Sequence, residues 1–188
     1  MRHKPKSALI GRALYYVLSE ENGCRTIQQV VGIKYSIRSC SKRLKRNASP
    51  VERGRINKGL MFRILLVEDD DRVSAALTEL LNALPEVAVA ARATSEGSAV
   101  DWLIENRLGW DLAIVDLALG MGSGLRVLSA CRVRKPHQKM VVLSNHLNQE
   151  MRRRCGTLGA DAAFEKASDI EAVLDYCRTA SEAAARRD

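Results

Sequence analysis

Glu68 and Asp69 follow the apolar run Phe62 to Val67, Asp116 follows Leu112 to Val115, Ser144 follows Met140 to Leu143, and Lys166 follows Ala162 to Glu165. Three carboxylates brought to one place repel one another unless a hard cation sits among them. Mg²⁺ accepts such oxygen ligands while keeping several waters. Ser144 adds a hydroxyl donor, and the Lys166 ammonium is a compact positive charge able to hold a phosphoryl oxygen. An acceptor carboxylate, a metal site, a hydroxyl and an ammonium together describe phosphoryl transfer to aspartate, giving an aspartyl phosphate.

These side chains can meet only if the apolar runs are neighbouring strands, because in an open parallel sheet the ligand crevice lies beyond the strands' carboxyl ends. From Met61 onward the chain alternates short apolar runs with longer amphipathic ones. Phe62 to Val67 reads as a buried strand, and Asp71 to Leu84 carries Val73, Leu77, Leu80, Leu81 and Leu84 at helical spacing before Pro85. Asp70 and Asp71 read as caps of that helix rather than as ligands. A strand over Val87 to Ala91 and a helix over Ser95 to Arg107 follow, with Ser95 as cap. The strand Leu112 to Val115 leads through Gly120, Gly122 and Gly124 into a helix over Leu125 to Arg134. Met140 to Leu143, Gln149 to Leu158, Ala162 to Glu165 and Asp169 to Ala180 complete five β-α pairs. Continuous apolar strands alternating with helices predict a doubly wound α/β sandwich with a parallel sheet.

Charge is divided unevenly along the 188 residues. Residues 1 to 60 hold 14 Lys and Arg against 3 Asp and Glu, or +11, whereas residues 61 to 188 hold 16 against 19, or −3. Any attraction to nucleic acid or an anionic surface therefore belongs to the first third, around Ser41 to Arg46. Arg12 to Leu18 reads as a short helix and Val30, Val31 and Ile33 as strand-like. Polar residues are scattered through both, and a poorly ordered extension is expected there. Cys24, Cys40, Cys131, Cys155 and Cys177 show no metal-ligand spacing, so they read as reduced thiols that fill the core of a cytoplasmic protein. No run approaches a membrane span and no cleavable leader is apparent.

Ile64-Leu65-Leu66-Val67-Glu68-Asp69-Asp70, Ile114-Val115-Asp116-Leu117-Ala118-Leu119, Gly122-Ser123-Gly124, Val142-Leu143-Ser144 and Phe164-Glu165-Lys166 resemble, in order, the motifs of the receiver domain of two-component response regulators. The resemblance covers about 61 to 180. It implies a flavodoxin-like sheet of order 2-1-3-4-5. It further implies Asp116 as phosphoacceptor, Asp69 as direct Mg²⁺ ligand, Glu68 as a ligand through water and Ala118 as a backbone-carbonyl ligand. Ser144 matches the switch hydroxyl and Lys166 the family's lysine. A histidine kinase or phosphotransfer protein is the implied donor in the phosphorelay, and the output is a phosphorylation-dependent contact with an unidentified protein. Gly120 stands where the family usually has Pro, Ala163 where an aromatic ring usually relays switching, and Ala167 where a Pro often follows the lysine.

The receiver is expected over 61–182, followed by a tail at 183–188. Residues 1–60 are expected to be a disordered basic extension or a segment upstream of the true start at Met61. The alternative function is a nucleic-acid-binding regulator acting through that segment. An aspartyl-nucleophile phosphatase would want a second Asp two residues after Asp116, where Ala118 stands. The three glycines only faintly resemble a dinucleotide loop, since the third is misplaced. Arg152-Arg153-Arg154 reads as a solvated helix face, and His146 as an exposed loop residue.

Overall fold

The structure, a computed structural model, describes residues 16–21, 24–29, 34–36, 61–145 and 147–187. The chain divides into two units, Met1–Ser49 and Pro50–Asp188.

In the first unit β1 (Tyr16–Glu21), β2 (Cys24–Gln29) and β3 (Lys34–Ser36) form an antiparallel sheet in that order. At Tyr16 to Leu18 this differs from the expected short helix over Arg12 to Leu18, whose first residues lie outside the described ones. Aromatic and β-branched residues, Tyr16 and Val17 on one strand and Thr26 and Ile27 on the other, favour pleated backbone over helix. The register pairs Glu21 with Cys24, and the intervening sequence is Asn22-Gly23, the strongest short hairpin signal. The expected strand character of Val30 to Ile33 and the basic cluster Ser41 to Arg46 lie outside the described residues, as does His146.

Among the described residues, the second unit runs through β4 (Phe62–Val67), α1 (Asp71–Asn82), β5 (Val87–Ala93) and α2 (Glu96–Glu105). It continues with β6 (Leu112–Val115), α3 (Gly124–Ala130), β7 (Lys139–Ser144), α4 (Gln149–Thr157), β8 (Ala162–Glu165) and α5 (Ile170–Ala185). All strand pairs are parallel, in the order β5-β4-β6-β7-β8. Counted from Met61 this is 2-1-3-4-5, the flavodoxin-like order.

Alternate strand residues enter opposite layers, as period-2 geometry requires. Leu65, Val67, Val115 and Val142 pack with Leu103, Val127 and Cys155 of α2, α3 and α4. Ile64, Leu66, Ile114 and Leu143 pack with Leu81 of α1 and with Val173 and Cys177 of α5. Burial pushes the Cys177 thiol up to about 12, so it serves as a small apolar side chain.

Caps fix where the helices start. The Asp70 carboxylate accepts from the Arg72 and Val73 N–H groups, and Ser95 forms a capping box with Ser98. Two ends depart from expectation. Helix α5 continues to Ala185, past the helix end expected at Ala180. Helix α3 stops at Ala130 rather than Arg134, and beyond its end the Arg134 guanidinium donates to the carbonyls of Cys131, Gln138 and Gly159 and to Asp161.

Asp161 is the matching hub at the amino ends of β7 and β8. It accepts from Arg134 at 2.6 Å, Met140 N–H at 2.8 Å and Lys139 at 3.1 Å. Burial alone would raise its carboxyl, but these donors outweigh burial and hold it below the usual carboxylate range. Asp161→Ala is therefore expected to cost about 2 kcal/mol at neutral pH, read from the urea midpoint. A lowered folded-state pKa stabilises above the ordinary carboxylate value and ceases to do so as pH falls through the lowered one. The gap between wild type and variant should close on that acid side, and a gap independent of pH would contradict the assignment.

Candidate functional site

Three of the site residues are held at strand ends by backbone hydrogen bonds to the neighbouring strand. Glu68 N–H donates to Ala93 at 2.9 Å, Asp116 N–H to Val67 at 3.0 Å and Lys166 N–H to Ser144 at 3.1 Å. The ladders run one residue past the strands proper, so side chains up to 98 residues apart in sequence share one crevice.

The Lys166 ammonium occupies its centre, donating to Glu68 Oε2 at 2.5 Å and Asp116 Oδ2 at 2.6 Å. All three are buried, at 5%, 2% and 6% exposure. Burial opposes the ammonium, but the charges of Asp116 and Glu68 more than compensate and hold the Lys166 pKa above its ordinary value. Burial pushes the Glu68 carboxyl up, against the opposing pull of Lys166. Lys166 is thus firmly cationic at neutral pH.

Asp69 is exposed beside these three groups. Its Oδ2 accepts the Gly120 N–H at 2.9 Å. A proline at position 120, usual in the resemblance, has no N–H to give, so this tether is a consequence of the glycine. One oxygen each of Glu68, Asp69 and Asp116 lies within 4.8 Å of the others. An all-carboxylate, partly open oxygen set fits a hard divalent cation such as Mg²⁺.

Ala118 N–H donates to Asp116 Oδ1 at 3.2 Å, and Ala118 bridges back to Ser123. Ser144 is buried at the end of β7, with its register partner Glu165 next to Lys166. The structure therefore assembles Glu68, Asp69, Asp116, Ala118, Ser144 and Lys166 around one crevice end of the sheet.

The glycine-rich turn is a packing device. A Cβ on Gly124 would stand 2.0 Å from the Asp116 carbonyl oxygen, and one on Gly122, at φ +101°, would stand 2.3 Å from Glu96 Cβ. Glu96, which no sequence pattern singles out, latches this turn: its N–H donates to Met121 at 3.1 Å and its Oε2 accepts the Ser123 N–H at 2.9 Å. An acid in a helix's first turn is common, so its type and position carry no signal of this role.

Two of the departures also resolve. Ala163 has no ring, and its carbonyl instead accepts from the Arg152 guanidinium, whose Nη2 also lies 3.9 Å from Asp169. Arg152 is thus tied to β8 and not merely a solvated residue of α4. Ala167 follows Lys166 without proline, and among the described residues no peptide bond is cis.

Residues 64–178 match the response regulator receiver domain. The chain belongs to this family. It is 36% identical over 84 residues to the photosynthetic apparatus regulatory protein RegA of Rhodobacter capsulatus, a match that covers 45% of this chain and 44% of that one. The receiver from Methanospirillum hungatei JF-1, described as CheY-like, superposes at TM-score 0.57 with 24% identity, over 69% of this chain and all of that one. The response regulator domain of Thermotoga maritima CheB superposes at TM-score 0.58 with 18% identity, over 65% and 97%. Receiver domains are phosphoacceptors rather than enzymes in the usual sense, and they generally hold Mg²⁺ in an acidic pocket, which the cluster Glu68, Asp69 and Asp116 provides here.

Removing the central cation leaves two buried carboxylates without a counter-charge. Lys166→Met is expected to destabilise this receiver by about 3 kcal/mol at pH 7 in chelator. Millimolar Mg²⁺ should recover part of that loss by supplying the missing positive charge, as thermal melts with and without the ion would show. A variant as stable as wild type in chelator would contradict the role given to the ammonium.

Proposed function

We propose that this receiver accepts a phosphoryl group on Asp116 from a histidine kinase or phosphotransfer protein of a two-component phosphorelay, and signals by phosphorylation-dependent contacts with another protein. The observation that carries this reading is the buried Lys166 ammonium bonded to both Asp116 and Glu68, with Asp69 completing an oxygen cluster beside it. Glu68, Asp69, Asp116 and the Ala118 backbone carbonyl are the groups that would hold Mg²⁺. Bound there, the ion would neutralise charge on the phosphoryl oxygens during transfer.

A carboxylate oxygen of Asp116 displaces the donor's imidazole from phosphorus. A P–O bond forms, the P–N bond breaks, and the imidazole leaves with the electron pair and takes a proton from water. Lys166 neutralises the phosphorylated side chain, and the Ser144 hydroxyl donates to a phosphoryl oxygen. Ser144 lies on β7 beside β8, where Ala163 leaves no ring to swing. The surface of α4 and β8 therefore changes through Arg152 or by direct occlusion of the phosphorylated face.

The thiols of Cys131, Cys155 and Cys177 are free, and among the described residues no helix is long and apolar enough to cross a membrane. Both fit a cytoplasmic signalling protein. The +11 charge of residues 1–60 favours a second reading, in which that segment contacts nucleic acid. Binding to DNA or RNA that weakens steeply with salt and is lost when the chain begins at Met61 would support it.

With Mg²⁺ and acetyl phosphate, Asp116→Asn should abolish an acid-stable, hydroxylamine-labile phosphoryl adduct, and unchanged labelling in that variant would sink the assignment. Asp69→Ala should weaken Mg²⁺ binding by about tenfold or more, because the ion loses one of its few protein oxygens. Lys166→Ala and Ser144→Ala should still label, yet lose the change in amide exchange over α4 and β8 that phosphorylation causes in wild type.

A further inference from the structure

At the opposite end of the sheet from Asp116, a groove of about 640 Å³ opens between α2 with its following loop and the loop from α3 to β7. Leu103 and Trp110 form its buried floor, whereas Ile104, Leu108 and Val133 stand on its rims at 53%, 73% and 98% exposure. Among the described residues only two other large apolar side chains are exposed, Met61 and Met121. Three of five thus crowd one groove, which single scattered surface residues would not do.

The groove's shape is built in. The buried Gln138 amide donates to the carbonyls of Arg107 at 2.9 Å and Trp110 at 3.1 Å, while its Oε1 accepts the Lys135 N–H at 3.1 Å. One side chain therefore staples both walls. Neither wall belongs to the loops that carry Asp116, Ser144 or Lys166.

Its charge is also distinct. Arg107, Arg134 and Lys135 line it with no acidic residue among them, and Arg132 and Lys139 continue the edge, where Asp161 is the only acid. This stands on a body that is net negative over 61–188. Arg134 and Lys139 are engaged by Asp161, which leaves the Arg107 and Lys135 side chains facing outward at the groove. An apolar trough with cationic edges matches an amphipathic helix that seats apolar residues at i, i+3, i+4 and i+7 and presents carboxylates to both sides. The chain's own basic first segment has the wrong charge for it.

We propose that this groove docks an acidic amphipathic helix of a partner protein, and does so whether or not Asp116 is phosphorylated. The rims argue for a protein segment over a small ligand, since a molecule enclosed between the walls would leave Val133 and Leu108 in water. The proposal does not rest on the chemistry at Asp116, and its test is independent of it.

The probe is a fluorescein-labelled designed helix of about 16 residues with a leucine stripe flanked by glutamates, compared with a scrambled peptide of identical composition, by fluorescence polarisation on the full chain. The scramble registers attraction to the basic first segment, because it keeps the charge and loses the stripe. Wild type should bind the designed helix about tenfold more tightly than the scramble. Leu108→Ser with Val133→Ser should remove that advantage, with melting temperatures near wild type because both side chains are exposed. Arg107→Gln with Lys135→Gln should reduce it about fivefold, and Asp116→Asn should leave it unchanged. Equal binding of scramble and designed helix, or binding indifferent to the rim substitutions, would overturn the proposal. So would a dimer in sedimentation that the rim substitutions dissociate, since the groove would then hold a second copy of the chain.

Discussion

The buried ammonium of Lys166, held 2.5 Å from Glu68 and 2.6 Å from Asp116, sets the terms for the rest of the receiver. A charge taken out of water is strongly unfavourable unless it is paired at good geometry. Here one cation serves two carboxylates contributed by strands that are remote in sequence. That arrangement tolerates little misalignment, so β4, β6 and β8 must end at the same level and in parallel. The backbone bonds from Glu68, Asp116 and Lys166 to the neighbouring strands supply that alignment, and the two apolar layers on either face of the sheet keep the strands from sliding.

One cation against three carboxylates makes the crevice an acidic pocket, the kind of site in which receiver domains generally hold Mg²⁺. The surrounding loops limit where such groups can go. Gly124 lies against the Asp116 carbonyl, Glu96 latches the turn that precedes it, and the Gly120 N–H tethers Asp69. The chain has lost the aromatic ring of a usual receiver at Ala163, and an arginine from α4 grips the backbone there instead. At the far end of the sheet, Asp161 and Gln138 organise a second polar framework that touches none of these loops.

Much of this architecture is legible in the amino-acid sequence. The strands are continuous apolar runs because both faces are covered, and residues bearing charge or a hydroxyl at their ends stand out against such runs. Five strand-helix pairs and the site set Glu68, Asp69, Asp116, Ser144 and Lys166 follow from that contrast. The features that sequence does not reveal depend on distance in the folded chain. Glu96 looks like any acid in a first turn, and the Gly120 tether exists only because Asp69 is 51 residues away in sequence yet adjacent in space. Ile104, Leu108 and Val133 are ordinary surface residues one at a time; they become a groove only when α2 and α3 are packed side by side. Helical spacing overestimates the length of α3, and the Arg134 contacts to Gly159 and Asp161 beyond its end exist only in the folded chain. The sheet at Tyr16 to Ser36 is hidden for a plainer reason: scattered polar residues outweigh the hairpin dipeptide Asn22-Gly23.

The central claim is that Asp116, and no other carboxylate of the crevice, forms the bond to phosphorus. Reaction with acetyl phosphate and Mg²⁺, reduction of the product with borohydride and peptide sequencing by mass spectrometry test it directly, because reduction turns an aspartyl phosphate into homoserine at the position that carried it. Homoserine at position 116 alone is the expected result. Homoserine at position 69, or no reduced residue anywhere in the chain, would contradict it.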